Sequence, residues 1–411
     1  MRQPKAELHP RQVAVILPAL FLLVACAGAP AATSPTPATP SSAASASTPS
    51  ASDGAKCSPG SGTPSFKLVQ SMAAPNSAYE LAVADFNGDG VPDVAVAGEG
   101  PATWVLLGSG EGTMVPAGVV KGGIYGANVL AADLSGDGKV DLALADQSGT
   151  VSIALGHGDG AFDAPVTYKL QEMPHNQVWT VVGGDLNGDG ALDLMAAIYG
   201  VDGFDPTGPG RLAVLLNKGG GTYADPVFYD DPVAVAVVAG DFNGDGALDA
   251  ATAGVDGFVR VFLGDGSGPL VADGAYQTGF QGVAIAAGDV DVDGVLDLAT
   301  GNGAAHTVSV LRGLRGAAFD KAMAFPAGNT HSISIVDLDG DGHLDLLSGG
   351  YDEKLVRYWQ GVGDGTFHDM MTFDTGGAPV RDVAATDLNR DGKLDLVVAT
   401  GQNYVYLLLA C

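Results

Sequence analysis

Seven short stretches of this chain place oxygen-bearing side chains at the same offsets. The first, DFNGDGVPD at residues 85–93, has Asp85, Asn87 and Asp89 at positions 1, 3 and 5, a glycine at 6 and Asp93 at 9. Side chains alternating in this way converge on one point if the chain turns sharply after them, and Gly90 permits that turn. The backbone carbonyl of position 7, Val91 here, adds an oxygen, and Asp93 closes the shell with one or two more. Hard oxygens, several of them charged, suit Ca2+. Zn2+ prefers His and Cys, and Mg2+ demands a stricter octahedron.

The same positions recur as Asp133, Ser135, Asp137, Lys139 and Asp141, then as Asp185, Asn187, Asp189, Ala191 and Asp193. They recur again as Asp241, Asn243, Asp245, Ala247 and Asp249, and as Asp289, Asp291, Asp293, Val295 and Asp297. The last two sets are Asp337, Asp339, Asp341, His343 and Asp345, and Asp387, Asn389, Asp391, Lys393 and Asp395. The Glu at position 12 of a helix-flanked calcium loop is absent, and no paired helical repeats are visible. One such loop reads equally well as a solvated turn. Seven with the same positions filled point to up to seven Ca2+ ions, with the Ser135 loop the weakest because a hydroxyl replaces a carboxylate or amide. Whether the ions only brace the fold or also regulate it stays open at this level.

Charge supports the reading. The formal net charge is −28, and 23 acidic residues lie inside the seven nonapeptides, so the remainder balances at −5. Seven divalent ions would return +14. Few Lys and Arg and no basic cluster in the mature chain disfavour nucleic acid as a partner.

The elements that must position these loops follow from their period. Successive first aspartates lie 48, 52, 56, 48, 48 and 50 residues apart. Around the first loop, ELAVAD, DVAVAG, TWVLLG and TMVPAGVV read as four short strands, with a glycine hairpin, GSGEG, before the last. No amphipathic helix intervenes. Four strands per repeat, seven times over, predict an all-β, seven-bladed β-propeller. The units resemble FG-GAP/VCBS repeats, the type that builds the seven-bladed head of integrin α chains and certain lectins. The resemblance covers residues 66–411. Its departures are an enlarged loop, YGVDGFDPTGPG, and one irregular hairpin, GLRGAAF.

The ring must also close. The last unit ends at its third strand, YVYLLLAC, so the N-terminal strand at residues 66–70 is expected to complete the last blade. Cys57 and Cys411 then face each other across the seam. An exported chain favours a disulfide between them over two free thiols.

The N-terminal residues carry a different chemistry. Arg2, Lys5 and Arg11 precede an apolar run at residues 13–25, too short to span a bilayer comfortably and interrupted by Pro18. The run ends in LVAC and resembles the lipobox of bacterial lipoproteins, which implies acylation of Cys26; the alternative is a secretory signal with an incidental cysteine. Ala27 after Cys26 resembles the outer-membrane sorting pattern of Gram-negative lipoproteins. The resemblance implies export and lipid anchoring in the cell envelope, at the outer membrane or cell surface. The expected organisation is a signal peptide at 1–25, an Ala/Ser/Pro/Thr-rich disordered tether at 26–56 and the propeller at 57–411.

Strand direction puts the metal loops and glycine hairpins on one face. On the other, six residues before each first aspartate, stand Tyr79, Ala127, Trp179, Val235, Val283, His331 and Arg381. Tyr79, Trp179, His331 and Arg381 are candidates to bind a protein or glycan at the channel mouth, against the alternative that each packs a blade edge. Four residues before the aspartate an aliphatic layer runs from Leu81 to Val383. No Gly-x-Ser-x-Gly elbow, His-Glu-x-x-His pair or phosphate loop appears. Two function classes remain: an anchored recognition or adhesion module, and a carbohydrate-active enzyme, a lyase or hydrolase, using a carboxylate pair on the channel face.

Overall fold

The computed structural model describes residues 64–74, 77–122, 126–170, 176–200, 210–231, 233–350, 354–368, 370–375 and 379–411. Cys26, Cys57, the leader, the tether and the tip of the enlarged loop lie outside them. Among the described residues seven antiparallel four-stranded sheets follow one another, with strands hydrogen-bonded in chain order in all but the last sheet. In blade 1 the strands are Ala78–Ala84, Asp93–Gly98, Ala102–Gly108 and Met114–Lys121, with the nonapeptide between the first and second. The irregular hairpin forms a small ribbon of Gly313–Leu314 against Ala318–Phe319.

The second strand of each blade is buried along its whole length. Asp93–Gly98, Asp249–Gly254 and Asp395–Thr400 are buried at every residue. Alanine, glycine and valine predominate in these three strands, whose two faces both press against neighbouring blades. The hydrophobic interior is accordingly divided into seven clusters, one between each pair of adjacent blades. The cluster joining blade 7 to blade 1 sets Leu388, Val397 and Leu407 against Leu81, Val94 and Leu106. The aliphatic layer that the repeat alignment implies is present: Leu81, Val129, Val181, Val237, Ile285, Ile333 and Val383 are all buried.

The ring closes as the sequence requires. Phe66–Ala73 pairs antiparallel with Tyr404–Ala410, giving the last blade its fourth strand from the other end of the chain. The Cys411 N–H donates to the Ser65 carbonyl at 2.9 Å, so the two ends meet. A further clamp was not legible beforehand. Gln70 on the entering strand grips the backbone of Met114 in blade 1, its Nε2 donating to the carbonyl at 2.9 Å and its Oε1 accepting the N–H at 2.8 Å. This amide pairs with a free edge strand as a peptide unit would, and it fastens the outer rims of the first and last blades.

Gln70→Ala removes both bonds. The expected cost is about 1–3 kcal/mol, with faster hydrogen exchange confined to Phe66–Ala73 and the start of Met114–Lys121. Unchanged exchange there would remove the clamp from the account.

Candidate functional site

Each nonapeptide is a carboxylate-centred turn. In loop 1, Asp85 accepts the N–H groups of Gly88 at 2.7 Å, Asp89 at 3.2 Å and Gly90 at 2.7 Å. The bond from the glycine at position 6 to the first aspartate is present in all seven loops. So is the bond from the position 7 N–H to the position 5 carboxylate. Glycine at position 6 has φ of +75° in loop 1, a left-handed backbone that a side chain would strain. The backbone thus holds the carboxylates of positions 1 and 5 in place and leaves lone pairs on each.

Position 9 has a role that its spacing did not reveal. Asp93 is fully buried, its Oδ2 accepting the Phe86 N–H at 2.8 Å and its Oδ1 the Gly108 N–H at 2.8 Å. The same two bonds recur in every blade, tying the loop's second residue to the end of the third strand. Burial pushes the Asp93, Asp193, Asp249, Asp297, Asp345 and Asp395 carboxyls up to about 6, against the pull of these backbone donors. The loop's second residue is itself an anchor. Phe86, Leu134, Leu186, Phe242, Val290, Leu338 and Leu388 are all buried. The carbonyl of Phe86 accepts the N–H of Gly160, from the hairpin of the next blade, at 2.9 Å.

The seven loops differ in their donors. In loop 5, Asp289, Asp291 and Asp293 bring carboxylate oxygens within 4.8 Å of one another, and in loop 6 Asp339 and Asp345 do so with Asp337. Oδ1 of Asp291 is buried without a hydrogen-bond partner. Burial, followed by the charges of Asp293 and Asp289, raises its carboxyl above the ordinary range. An orphaned oxygen among three carboxylates fits a hard cation. Blade 6 adds neutral donors: the Tyr358 hydroxyl lies 3.3 Å from Asp339 and 3.2 Å from Asp345, and Gln360 Nε2 also donates to Asp339. Blade 1 has Val105 and Leu107 at those places. Loop 2 carries its own cation, with Lys139 Nζ 3.3 Å from Asp137. Arg390 of loop 7 reaches across the seam to donate to the Asp89 carbonyl at 2.9 Å.

On the channel side, the position six residues before the first aspartate is a β-bulge in all seven blades. Bulges re-aim side chains. The structure brings Tyr79 and Arg381 together: the guanidinium stands 4.8 Å over the Tyr79 ring, and the Tyr79 hydroxyl donates to Glu99 at 2.6 Å. Trp179 and His331 are half-buried at their own bulges, and the Trp179 indole N–H is buried without a hydrogen-bond partner. Val235 is buried in the wall instead. Tyr199 is buried within the strand Asp193–Gly200.

One residue further along lies a belt that sequence reasoning missed. Ser332 donates to Asp382 at 2.6 Å, and Asp382 accepts the Leu81 N–H at 2.9 Å. Asn128 donates to Glu80 at 3.2 Å and accepts the Val181 N–H at 3.0 Å. Thr180 donates to the Val235 carbonyl at 3.0 Å. Each bond crosses from one blade to the next. Burial, then the nearby Asp382 charge, raises the Glu80 carboxyl well above its ordinary 4.5, and burial raises Asp382 as well. The signal was present as a column: Glu80, Asn128, Thr180, Ser332 and Asp382 are polar at one position of otherwise apolar strands.

A family model for the FG-GAP-like repeat matches residues 85–144, 133–196, 241–300 and 337–398. No curated protein matches the chain by sequence. Among solved structures, that of BBS1N in complex with ARL6DN, soaked with mercury, is similar at TM-score 0.59 and 15% identity, covering 84% of this chain and 96% of that one. An Agrocybe aegerita lectin, described as recognising non-reducing terminal N-acetylglucosamine, is similar at TM-score 0.51 and 20% identity over 72% of this chain and 80% of its own. Chaetomium thermophilum Raptor is similar at TM-score 0.55 and 13% identity over 84% of this chain and 29% of its own. At these identities the likeness is one of fold.

Two outcomes follow for the buried carboxylates. Asp193→Ala leaves the Leu186 and Asn217 N–H groups buried and unpaired, costing about 2–5 kcal/mol, and the loss should persist in chelator; a variant melting like the parent would contradict the bracket. For Glu80 the folded carboxyl titrates above its unfolded value, so its stabilising contribution is complete below about 4.5 and is lost as pH rises through the raised value. Stability of Glu80→Gln should therefore fall less with rising pH than that of the parent. Parallel stability–pH curves from acid to mildly alkaline pH would show that Glu80 is not a buried acid.

Proposed function

The chain belongs to the FG-GAP-like repeat family, and from that premise we propose that it is a calcium-stabilised recognition module, lipid-anchored at Cys26 on the outside of the cytoplasmic membrane. Protein or glycan would bind at the bulged rim opposite the metal loops. The observation that carries the reading is the pairing of Arg381 with Tyr79, whose β-bulge position recurs in all seven blades and holds Trp179 in blade 3. An aromatic face and a guanidinium suit a sugar ring or a peptide side chain. Among the described residues no helix is long and apolar enough to cross a membrane. The lipid carries the attachment in this reading, and a Cys57–Cys411 disulfide locks the seam.

Calcium would be held by the side chains of positions 1, 3 and 5 and the carbonyl of position 7, with position 9 sharing its oxygens between ion and backbone. The bound ion supplies positive charge to loops whose carboxylates otherwise repel one another, and it stabilises the folded ring by mass action. Loops 5 and 6 should fill first, and loop 2, with Ser135 and the Lys139 ammonium, last. The enzyme reading is weaker, because Glu80 and Asp382, the carboxylates on the channel strands, are spent on bonds between blades.

The test uses the soluble chain on glycan and peptide arrays in calcium, with turnover assayed for any glycan bound. Tyr79→Ala and Arg381→Ala should each weaken binding about tenfold or more, as expected for anchors of a site. Chelation should lower the melting temperature, restored more by calcium than by magnesium. Binding indifferent to both substitutions would overturn the rim, turnover would favour the enzyme, and melting indifferent to chelator would overturn the calcium role.

A further inference from the structure

The position 3 asparagines of three loops are each followed by glycine, as Asn87–Gly88, Asn187–Gly188 and Asn243–Gly244. Glycine leaves the following backbone nitrogen open to the asparagine side chain, since no Cβ shields it. In these loops the amide oxygen is also activated. The position 5 N–H donates to it at 2.9 Å in loop 1, 2.9 Å in loop 3 and 2.7 Å in loop 4. That oxygen is where negative charge gathers when a nucleophile attacks the amide carbon, so the donor acts as a small oxyanion hole.

The three loops differ in how the two nitrogens are held. In loop 1 the Gly88 N–H donates to Asp85 at 2.7 Å, and Asn87 Nδ2 donates to Asp89 at 3.0 Å. Loop 4 repeats both bonds, Gly244 to Asp241 at 2.7 Å and Asn243 to Asp245 at 2.9 Å. In loop 3 the carboxylates of Asp185 and Asp189 accept from Asp189, Gly190 and Ala191, and neither nitrogen of the Asn187–Gly188 pair is bound to them.

We propose that Asn187 is a site of self-catalysed deamidation, converting the amide of loop 3 into a carboxylate. The Gly188 nitrogen bonds to Cγ of Asn187, the Cγ–Nδ2 bond breaks, and ammonia leaves with the proton lost from Gly188. Water then opens the cyclic imide at either carbonyl, giving aspartate or β-linked isoaspartate; one water enters and one ammonia leaves. Aspartate gives loop 3 the three-carboxylate set that loops 5 and 6 already have. Isoaspartate adds a methylene to the backbone and shifts positions 5 to 9 out of register. The step needs no bound ion, and it stands apart from the calcium reading.

Two asparagines serve as internal controls. Asn389 is followed by Arg390, whose side chain crowds the nitrogen. Asn302 precedes Gly303 but is fully buried, with Nδ2 donating to Thr307 and Ser309. The experiment incubates the folded full chain in chelator at mildly alkaline pH and follows each asparagine by peptide mapping. Asn187→Asp provides the standard for the aspartyl product, and fragmentation distinguishes isoaspartate. Asn187 should convert at least several-fold faster than Asn87 and Asn243, while Asn389 and Asn302 stay intact. Equal rates at the three loops, or an intact Asn187 in a chain that deamidates when unfolded, would overturn the proposal.

Discussion

Asp93 lies fully buried with one oxygen on the Phe86 N–H and the other on the Gly108 N–H, and six further aspartates do the same in their own blades. The interaction fixes the start of the second strand, the end of the third and the root of the loop together. A hydrogen bond to a charged group contributes about 1.5–3 kcal/mol, but burying the carboxylate costs much of that gain. What the bracket supplies is geometry. With the loop's root pinned, its second residue is driven into the core between blades, and the carbonyl of Phe86 meets the next blade's hairpin. Positions 1, 3 and 5 are left pointing outward as a cluster of carboxylates and amides.

The same economy of local contacts explains the ring. Among the described residues no central core spans the ring; seven small ones alternate with seven blades, so each blade is stable only through its neighbours. Such an array needs closure, and several distinct contacts provide it. The strand Phe66–Ala73 completes the last sheet, Gln70 grips Met114, Asp382 takes the Leu81 N–H, and Arg390 reaches Asp89. The polar belt of Ser332, Asp382, Glu80, Asn128 and Thr180 runs through blades 6, 7, 1, 2 and 3, whereas Ala236 and Ala284 stand at its place in blades 4 and 5.

Much of this was readable from residue types alone. The strands flanking Asp85–Asn87–Asp89 were legible because a repeat has one solution for its alternating residues, and the missing fourth strand of the last blade pointed to its donor. The belt was not, because its partners lie a full repeat apart: Glu80 meets Asn128 and Ser332 meets Asp382 only once the ring is closed. Nor did spacing betray the second duty of Asp93, since Gly108 comes 15 residues later and is brought near by the hairpin between the second and third strands. Tyr79 and Arg381, picked from the two ends of the repeat array, meet for the same reason: the seam joins first blade to last. The donation of Tyr358 and Gln360 into loop 6 was obscured by strand positions that are aliphatic in blade 1.

The account joins a backbone bracket at position 9 to a cation held by the outward oxygens of the same loop. It is tested most directly by crystals grown in calcium and measured for anomalous scattering. The account predicts peaks centred between positions 1, 3 and 5, strongest in the loops of Asp291 and Asp339 and weakest in that of Ser135, with both backbone bonds of each position 9 aspartate retained. Loops without ions at saturating calcium, or ions bound only where the Asp93-type brackets have broken, would contradict it.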